Sequence, residues 1–513
     1  MICQFIGVCS LLTALLILQA SGQRNVLVIL ADDGGFETGV YNNTVCKTPN
    51  LVKLAQQGVV FRKAFTAVSS CSPSRSCLLT GLPTHQNGMY GLHQGVHAFQ
   101  SFPEVKSLPL LLSQHGIRTG IIGKKHVGPE EVYPFDFAHT EENNSILQVG
   151  RNITKIKHLV RKFLSTNDTR PFFLYVAFHD PHRCGHTHPQ YGQFCEKFGD
   201  GSPGMGRIPD WTPQLYDPSR VVVPSFVPDT PAAREDIAAQ YTTVGRLDQG
   251  VGLVLAELEA AGFTDNTLVI YSSDNGIPFP NGRTNLYEPG IQEPMIVSNP
   301  EAAGSAGTVR HSDALVSLLD IVPTVLEWFS IPVPQYTIFK KPVTFTGSSL
   351  LPLLAPRGPA SSESRDFVYA SHSLHEITMY YPMRMIRSSN LKLVHNLNYK
   401  MPFPIDQDFY VSPTFQDLLN RTKRGEPLHW SKTLDSYYYR DEWELYDLER
   451  DPNELSNIAK NETYAPVLSQ LQQLLFKWQQ TTQDPWICAP HSVLEDSGSF
   501  KKDPKCLPLL NER

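Results

Sequence analysis

Four short segments of the chain are continuously apolar instead of alternating between apolar and polar residues. They cover residues 25–31 (NVLVILA), 119–123 (TGIIG), 171–178 (PFFLYVAF) and 267–272 (TLVIYS). Unbroken apolar runs of this kind are typical of strands that are buried on both faces, as in a parallel sheet. The pattern therefore predicts an α/β domain built on a mostly parallel sheet.

Helical patterns fill the gaps between these strands. Residues 49–57 begin with a proline and end before a glycine, which suits a short helix. A long helix is predicted over residues 232–261, and residues 313–329 are predicted to form a helix that bends at Pro323. Helices placed between parallel strands would cover both faces of the sheet.

The pattern changes near residue 375. Residues 381–396 and 443–448 alternate more strongly and are more polar, which is typical of antiparallel strands with one solvated face. Residues 465–480 predict an amphipathic final helix. We therefore predict a large α/β domain over residues 23–375 and a smaller α+β domain with an antiparallel sheet over residues 376–513.

Residues 1–22 are predicted to be a cleaved signal peptide, because an apolar run is followed by small residues. The run is shorter than the roughly 20 residues that span a bilayer, so no membrane insertion is expected; an uncleaved anchor is the alternative. Six Asn-X-Ser/Thr sequons then predict a glycosylated protein of the secretory pathway. They lie at Asn42, Asn143, Asn152, Asn167, Asn420 and Asn461.

The formal net charge is -6, from 44 basic and 50 acidic residues among 513. Proteins that bind nucleic acid usually carry a basic excess or a basic stripe, so no nucleic-acid partner is expected. An anionic substrate would have to be bound by a local positive pocket.

Seven cysteines remain after the signal peptide, and an odd number in an exported protein indicates a thiol with another task. Two pairs flank short segments and predict local disulfide bonds, with a zinc site as the alternative, although the CxxC spacing that zinc favours is absent. These pairs are Cys184 with Cys195 and Cys488 with Cys506. Cys46, Cys71 and Cys77 are left over, and a bridge between Cys46 and Cys77 stays open.

Each of the four predicted strands is followed by polar residues that suit a site better than a core. They are Asp32-Asp33, Lys124 with His126, His179 with Asp180 and His182, and Asp274-Asn275. The C-terminal ends of parallel strands lie on one edge of a sheet, and ligands bind in the crevice there. We therefore expect these residues to converge on one site.

Asp32, Asp33, Asp274 and Asn275 offer hard oxygen ligands, which favour calcium or magnesium over zinc or copper. Three carboxylates in a dry crevice would repel one another strongly without a cation. The alternative is that Asp33-Gly34 and Asn275-Gly276 form ordinary turns. Because the acidic pairs follow two strand ends, we predict a metal site.

Residues 69–82 (SSCSPSRSCLLTGL) place Cys71 near the predicted start of a helix. Pro73 fits the first turn, and the partial positive charge of that turn stabilises an anion at Cys71. Arg75 lies four residues on and can share the site. A buried structural cysteine is the alternative, but the neighbouring residues are polar.

The CXPXR segment at residues 71–75, followed by LLTG at 78–81, resembles the signature of the sulfatase family. Residues 32–33, 123–126 and 273–276 resemble the other site segments of that family, in the expected order. The resemblance covers nearly the whole chain and implies an alkaline-phosphatase/sulfatase-like large domain. Four further segments resemble the sulfatases that remove N-sulfate from heparan sulfate: residues 31–37, 85–94, 178–186 and 400–422.

The resemblance implies the cofactors of the site. In this family the cysteine at the position of Cys71 is oxidised to formylglycine by a formylglycine-generating enzyme, and the modified residue attacks sulfur. One calcium ion per subunit would be bound by the modified Cys71 together with Asp32, Asp33, Asp274 and Asn275.

The resemblance also implies roles for five charged or titratable residues. Arg75, Lys124 and Arg283 would hold the sulfate oxygens. His182 would protonate the leaving nitrogen, and His126 would take the proton that lets sulfate depart. The alternative roles are surface ion pairs, a solvated lysine and hydrogen-bonded structural histidines.

The implied function is release of sulfate from a terminal N-sulfoglucosamine of heparan sulfate, in the lysosome, by a homodimer. One alternative is an O-sulfatase acting on another glycosaminoglycan sugar. A second is a phosphodiesterase or phosphatase with a Ser or Thr nucleophile, against which the CXPXR segment argues. A third is a catalytically dead glycan-binding protein, against which the complete set of site residues argues.

Overall fold

The computed structural model describes residues 23–141, 145–185, 187–302, 309–355 and 365–509. The predicted signal peptide and the sequon at Asn143 lie outside these ranges. Within them, no helix has the length and apolar character that a bilayer crossing requires.

A nine-stranded sheet forms the centre of the larger part of the chain. Its strands are β1 (Asn25–Asp32), β2 (Val59–Phe65), β3 (Arg118–Gly123), β4 (Phe137–Thr140), β5 (Phe172–Pro181), β6 (Thr267–Ser273), β7 (Gln292–Ser298), β8 (Arg310–Ser312) and β9 (Val316–Ser317). The order is β4-β3-β5-β1-β6-β7-β2-β8, and β9 also pairs with β2. Only β7 runs antiparallel to its neighbours in this sheet. The predicted mostly parallel sheet is therefore confirmed, and the four predicted strands are its adjacent central members.

Alternate side chains of β1 enter two different cores, one on each face of the sheet. Val28 and Leu30 pack in the same apolar cluster as Leu79, whereas Leu27 and Ile29 pack in the other large cluster. All eight residues of β1 are buried. Burial of each such side chain stabilises the fold by roughly 1.5–3 kcal/mol, which explains why the strand is continuously apolar.

The helices of this part cover both faces of the sheet. They are α1 (Pro49–Ala55), α2 (Cys71–Thr80), α3 (Thr84–Asn87), α4 (Leu108–Gln114), α5 (Ile153–Leu164), α6 (Pro231–Ala260), α7 (Glu288–Ile291), α8 (Ile321–Trp328) and α9 (Leu351–Leu354). The long helix α6 continues through its glycines. At Gly250 a Cβ atom would lie 2.5 Å from the ring of Phe178, so the absence of a side chain lets α6 pack closely on β5.

The predicted bent helix over residues 313–329 is wrong. Strand β9 and a short 3₁₀ turn occupy its first half, and α8 begins only at Ile321. The carboxylate of Asp320 accepts a hydrogen bond from the Ser317 amide at 2.7 Å in a capping box. Pro323 therefore lies in the first turn of α8, where a missing N–H leaves no helical hydrogen bond unmade.

The C-terminal part contains the predicted antiparallel sheet, formed by β12 (Val368–His372), β13 (Met383–Arg387), β14 (Leu391–Asn396) and β15 (Trp443–Asp447). Two small hairpins, β10 (Thr337–Ile338) with β11 (Lys341–Pro342) and β16 (Ser492–Glu495) with β17 (Lys505–Pro508), lie outside it. The helices are α10 (Gln407–Tyr410), α11 (Pro413–Arg424), α12 (Leu434–Tyr438) and α13 (Ala465–Thr481). The final helix is thus confirmed. The boundary at residue 375 stays a prediction, and β12 precedes it.

The structure contains both predicted disulfide bonds, Cys184–Cys195 and Cys488–Cys506. Cys46 and Cys77 are free and buried, in different apolar clusters. The bridge between them that the sequence left open is therefore absent.

The described sequons differ in exposure. Asn152 is half-buried and caps α5, because its side chain accepts a hydrogen bond from the Lys155 amide at 3.1 Å. The other four are exposed: Asn42, Asn167, Asn420 and Asn461. Glycosylation at these positions stays a prediction.

Candidate active site

The C-terminal ends of β1, β3 and β6 meet in one crevice, as the strand-end argument predicts. Lys124, after β3, places its Nζ 2.7 Å from Asp32 Oδ2 at the end of β1. Asn275, after β6, donates from Nδ2 to Asp33 Oδ1 at 2.7 Å. Residues that lie as far as 242 positions apart in sequence are therefore in direct contact.

A buried acidic cluster forms the floor of this crevice. The backbone amides of Asp33 and Asn275 both donate to Asp274 Oδ1, at 3.1 Å and 2.9 Å. Asp32, Asp33, Asp274 and Asn275 are each 0% exposed. Asp33 has a positive φ of 58°, a left-handed conformation that Asp tolerates better than most residues. The cluster is therefore a built feature and not a pair of solvated turns.

Two carboxylates of the cluster belong to a group of side chains that could hold a divalent cation. Single ligand atoms of Asp32, Asp33, Cys71 and His182 all lie within 4.8 Å of one another. Asn275 Oδ1 is buried without a hydrogen-bond partner, which is unusual for a buried carbonyl oxygen. Burial raises the pKa of Asp33 well above its usual range, although Arg283 opposes the shift. A cation would satisfy the orphaned oxygen and favour the ionised carboxylates.

Arg75 lies beneath the acidic cluster and is 0% exposed. Its Nε donates to Asp274 Oδ2 at 2.9 Å, its Nη2 to Asp32 Oδ1 at 3.1 Å, and its Nη1 to the Lys124 carbonyl at 2.9 Å. Burial alone would raise the pKa of Asp32, but the charges of Lys124, His182 and Arg75 hold it well below its usual range. Arg75 is therefore not a surface ion-pair residue. Its Nε, Nη1 and Nη2 each donate a hydrogen bond to a protein acceptor in this structure.

Cys71 begins α2 and is buried, with Sγ 3.9 Å from Asp33 Oδ1. Burial raises the pKa of the Cys71 thiol well above its ordinary value, and the neighbouring aspartates add to this effect. The unmodified side chain is therefore a protonated thiol, which is a poor nucleophile.

Hydrogen bonds of the serines around Cys71 hold the start of α2 in place. Ser74 Oγ donates to the Asp274 carbonyl, and Ser72 Oγ accepts from the His93 amide at 2.9 Å. Ser70 Oγ lies 2.8 Å from Nδ1 of His375 in the C-terminal part. These bonds fix the position of Cys71 relative to the acidic cluster.

Arg283 connects the acidic cluster to His182. Its Nη1 donates to Asp33 Oδ2 at 2.6 Å and to His182 Nε2 at 2.9 Å. A guanidinium cannot accept a hydrogen bond, so Nε2 is the acceptor and Nδ1 of His182 donates to the Arg183 carbonyl at 2.6 Å. Burial lowers the pKa of His182 well below its usual value, in agreement with a neutral ring.

His126 and His179 also lie at the crevice. Nδ1 of His126 is buried without a hydrogen-bond partner, and burial together with Lys124 lowers the His126 pKa well below its ordinary value. Nε2 of His179 lies 3.6 Å from Asp32 Oδ2. Both rings border the same cavity.

The crevice opens into a cavity of about 1050 Å³. Five of the six predicted catalytic residues line it, and Arg75 lies behind the wall. The lining five are Cys71, Lys124, His126, His182 and Arg283. The structure therefore brings the predicted residues together, whereas their individual roles stay predictions.

Three lining residues from the C-terminal part were missed at the sequence level. Asp406 and Asp408 both accept hydrogen bonds from Arg283 Nη2, and His375 Nε2 lies 3.2 Å from Asp406 Oδ2. Asp406 and Asp408 follow no predicted strand, and His375 lies beyond β12. The two aspartates lie in residues 400–422, a segment that resembles the heparan N-sulfatases, but that resemblance assigned them no role and did not indicate that they reach the cavity.

Two family models match the chain. The model described as "Sulfatase" matches residues 24–331, and the one described as "N-sulphoglucosamine sulphohydrolase, C-terminal" matches residues 427–481. The chain therefore belongs to the sulfatase family. It is 64% identical over 513 residues, 100% of both chains, to N-sulphoglucosamine sulphohydrolase of Homo sapiens.

Solved structures share the fold at much lower identity. A protein in complex with its substrate D-glucosamine-2-N,6-O-disulfate superposes with a TM-score of 0.61 at 22% identity, covering 90% of this chain and 98% of its own. The phosphonate monoester hydrolase of Agrobacterium radiobacter superposes with a TM-score of 0.59 at 19% identity, covering 95% and 100%. Because different reactions occur on this fold, the site and the close relative must carry the functional argument.

Proposed function

We propose that this protein hydrolyses the N-sulfate group of a terminal N-sulfoglucosamine in heparan sulfate. The observation that carries the proposal is the 64% identity to human N-sulphoglucosamine sulphohydrolase over the full length of both chains. The cavity supports it, because acidic, basic and cysteine side chains suited to sulfate ester or sulfamate chemistry line it.

The proposed cofactors are formylglycine, produced from Cys71 by a formylglycine-generating enzyme, and one Ca²⁺ per subunit. When bound, formylglycine supplies an oxygen nucleophile and Ca²⁺ supplies positive charge for anionic oxygens. Asp32, Asp33, Asp274 and Asn275 would hold the cation together with residue 71. The CXPXR segment at residues 71–75 supports a modified residue at this position, and burial would keep an unmodified thiol protonated.

The basic residues would bind and orient the sulfate group. Lys124 and Arg283 line the cavity, and charged hydrogen bonds from them would hold sulfate oxygens. Arg75 would add positive charge from behind the wall, and it holds the Asp32 and Asp274 carboxylates in place.

The two histidines would move protons. His182 would deliver a proton from Nε2 to the leaving nitrogen, and an anionic sulfamate bound beside Nε2 would favour the protonated ring. His126 would accept a proton at Nδ1, the atom without a hydrogen-bond partner. Both atoms belong to rings at the cavity.

Sulfate release from N-sulfoglucosamine and from glucosamine 6-sulfate would test the reaction. We expect release from the first and little from the second, and the reverse result would favour the O-sulfatase alternative. Cys71→Ala should abolish turnover and leave the unfolding temperature within about 2 °C of wild type, and the mass of the wild-type peptide that contains residue 71 should show an aldehyde. Substantial turnover by Cys71→Ala would refute the nucleophile.

We also propose that the protein acts in the lysosome, after passage through the secretory pathway, and that it forms a homodimer. The family resemblance implies these properties, and the 64% identity to the human relative supports that resemblance. Co-fractionation of the tagged protein with lysosomes and its sedimentation as a dimer would support them, and a monomer at micromolar concentration would contradict the second.

A further inference from the structure

Asp406 and Asp408 bring two carboxylates from the C-terminal part into the wall of the catalytic cavity. Asp406 immediately precedes α10 and Asp408 lies within it. They are 6% and 5% exposed, and both line the cavity. Both accept hydrogen bonds from the same guanidinium nitrogen, Nη2 of Arg283. We call these two residues the acid pair.

The negative charge of the acid pair exceeds the fixed positive charge of the side chains that contact it. Arg283 also bonds Asp33, which belongs to the candidate metal cluster, so one guanidinium faces the two carboxylates of the acid pair. The neighbouring rings of His375, 3.2 Å from Asp406, and His182, 3.9 Å from Asp408, carry charge only when protonated. Burial raises the pKa of Asp408 to about 6, whereas Arg283 opposes burial and holds the pKa of Asp406 well below its usual range. Above about pH 6 this side of the cavity is therefore acidic.

An acidic wall is unexpected in a cavity that binds a sulfate group, because carboxylates and sulfate repel each other. Lys124 lines the same cavity, but it bonds Asp32, which Arg75 also contacts from within the protein. These contacts favour the sulfate beside Lys124 and Nη1 of Arg283, and a neutral or cationic group beside the acid pair at Nη2 of Arg283.

Hydrolysis of a sulfamate generates such a cation. In the net reaction, water supplies the fourth oxygen of the sulfate, the N–S bond breaks, and nitrogen keeps the electron pair. The nitrogen gains both protons of the water in the net reaction, so R–NH–SO₃⁻ and H₂O give R–NH₃⁺ and SO₄²⁻. Hydrolysis of an O-sulfate gives a neutral alcohol instead.

We propose that the acid pair binds the amino group of the leaving sugar as it becomes an ammonium ion, and that it thereby favours N-sulfate over O-sulfate substrates. This proposal rests on the proposed sulfamidase function. The distance of 3.9 Å between His182 Nδ1 and Asp408 Oδ2 puts the acid pair beside the ring whose Nε2 is the proposed proton donor. Charge-assisted hydrogen bonds form with an ammonium ion, and they are stronger than those with a hydroxyl.

Binding titrations with glucosamine and glucose would test the acid pair without turnover. The two sugars differ at C2, where glucosamine carries an ammonium group and glucose a hydroxyl. With the mature full-length protein, at a pH that keeps glucosamine protonated, we expect glucosamine to bind at least about tenfold more tightly. Asp406→Asn and Asp408→Asn keep the side-chain shape, and each should lower this preference severalfold.

Glu376→Gln is the matched control. Glu376 lines the same cavity but bonds Gln94 at 2.9 Å, away from Arg283. Its loss removes one negative charge from the cavity without touching the acid pair, so the preference for glucosamine should persist. If Glu376→Gln lowered the preference for glucosamine as much as the acid-pair variants, the negative charge of the whole cavity would explain the preference, and the proposal would be refuted.

Two results would overturn the proposal. One is a wild-type protein that binds glucose as tightly as glucosamine, and this result needs no variant to fold. The other is an undiminished preference for glucosamine in both folded acid-pair variants. That result would mean that the acid pair only positions Arg283. Failure of the wild type to release sulfate from N-sulfoglucosamine would instead refute the proposed function, and the titrations would still report on the acid pair.

Discussion

Replacing Arg75 by lysine should destabilise the folded protein by about 3 kcal/mol, although the positive charge is kept. Arg75 donates to three acceptors: Asp274 Oδ2, Asp32 Oδ1 and the Lys124 carbonyl. The single ammonium of lysine cannot reproduce the planar fork that reaches all three. If two of these bonds are lost, and hydrogen bonds to charged groups contribute at least about 1.5 kcal/mol each, the sum is about 3 kcal/mol.

Urea-induced unfolding of Arg75→Lys, followed by tryptophan fluorescence, would measure the difference. The matched control is Arg62→Lys, because Arg62 pairs with Asp313 on the surface, where the two side chains are 51% and 58% exposed. Exposed ion pairs contribute about 0–1 kcal/mol, so the control should unfold close to wild type. An Arg75→Lys midpoint no lower than that of Arg62→Lys would refute the idea that the buried fork holds the acidic cluster together.

Three further predictions concern pH, the cation and a disulfide bond. Burial lowers the pKa of His85 from 6.5 to about 4, so the folded state takes up this proton less readily than the unfolded chain. The stability that neutral His85 contributes is present above pH 6.5 and declines as the pH falls towards 4, by roughly 2 kcal/mol at about pH 5. The melting temperature of His85→Gln should therefore fall less than that of wild type between about pH 7.5 and about pH 5, and equal falls would contradict this. Free Ca²⁺ at about 100 times its Kd should stabilise wild type by about 2.7 kcal/mol. Asn275→Leu should weaken this effect, whereas a melting temperature insensitive to Ca²⁺ and chelator would count against the cation site. Cys184→Ser combined with Cys195→Ser opens a loop of sequence separation 11 and should cost about 3 kcal/mol, so an unchanged urea midpoint would show that the bond is not structurally important.

The central sheet and the crevice could be predicted because both follow from local pattern. Continuous apolar runs such as residues 25–31 mark strands buried on both faces, and Asp33 and Asn275 follow strands that must end on one edge. The acidic cluster could then be assembled from topology alone. The same reasoning predicts that Lys124 and His182 lie at the crevice.

Features that depend on tertiary packing could not be predicted in this way. The start of α8 is set by the Asp320 capping box and by the pairing of β9 with β2, neither of which is visible in the apolar pattern of residues 313–329. Asp406 and Asp408 lie in a segment whose position depends on how the C-terminal part packs against the sheet. The end of a strand can be recognised from the sequence. No sequence pattern shows that a distant loop folds back to line a cavity.

The residues that would bind the cation and the residues that would bind the leaving group come from different parts of the chain. The residues of the acidic cluster, together with Cys71 and Arg283, all lie within residues 24–331, the range that matches the sulfatase family model. The acid pair lies outside that range and before residues 427–481, which match the second model. A change at Asp406 or Asp408 therefore leaves the residues that would bind the cation unaltered, and Arg283, which bonds both Asp33 and the acid pair, is the contact between the two sets. If the leaving-group preference depends on the acid pair, these two carboxylates should have the same effect in another protein. Introducing them into an O-sulfatase of the same fold should improve the binding of an amino sugar, although the sulfate-binding residues of that O-sulfatase are unchanged.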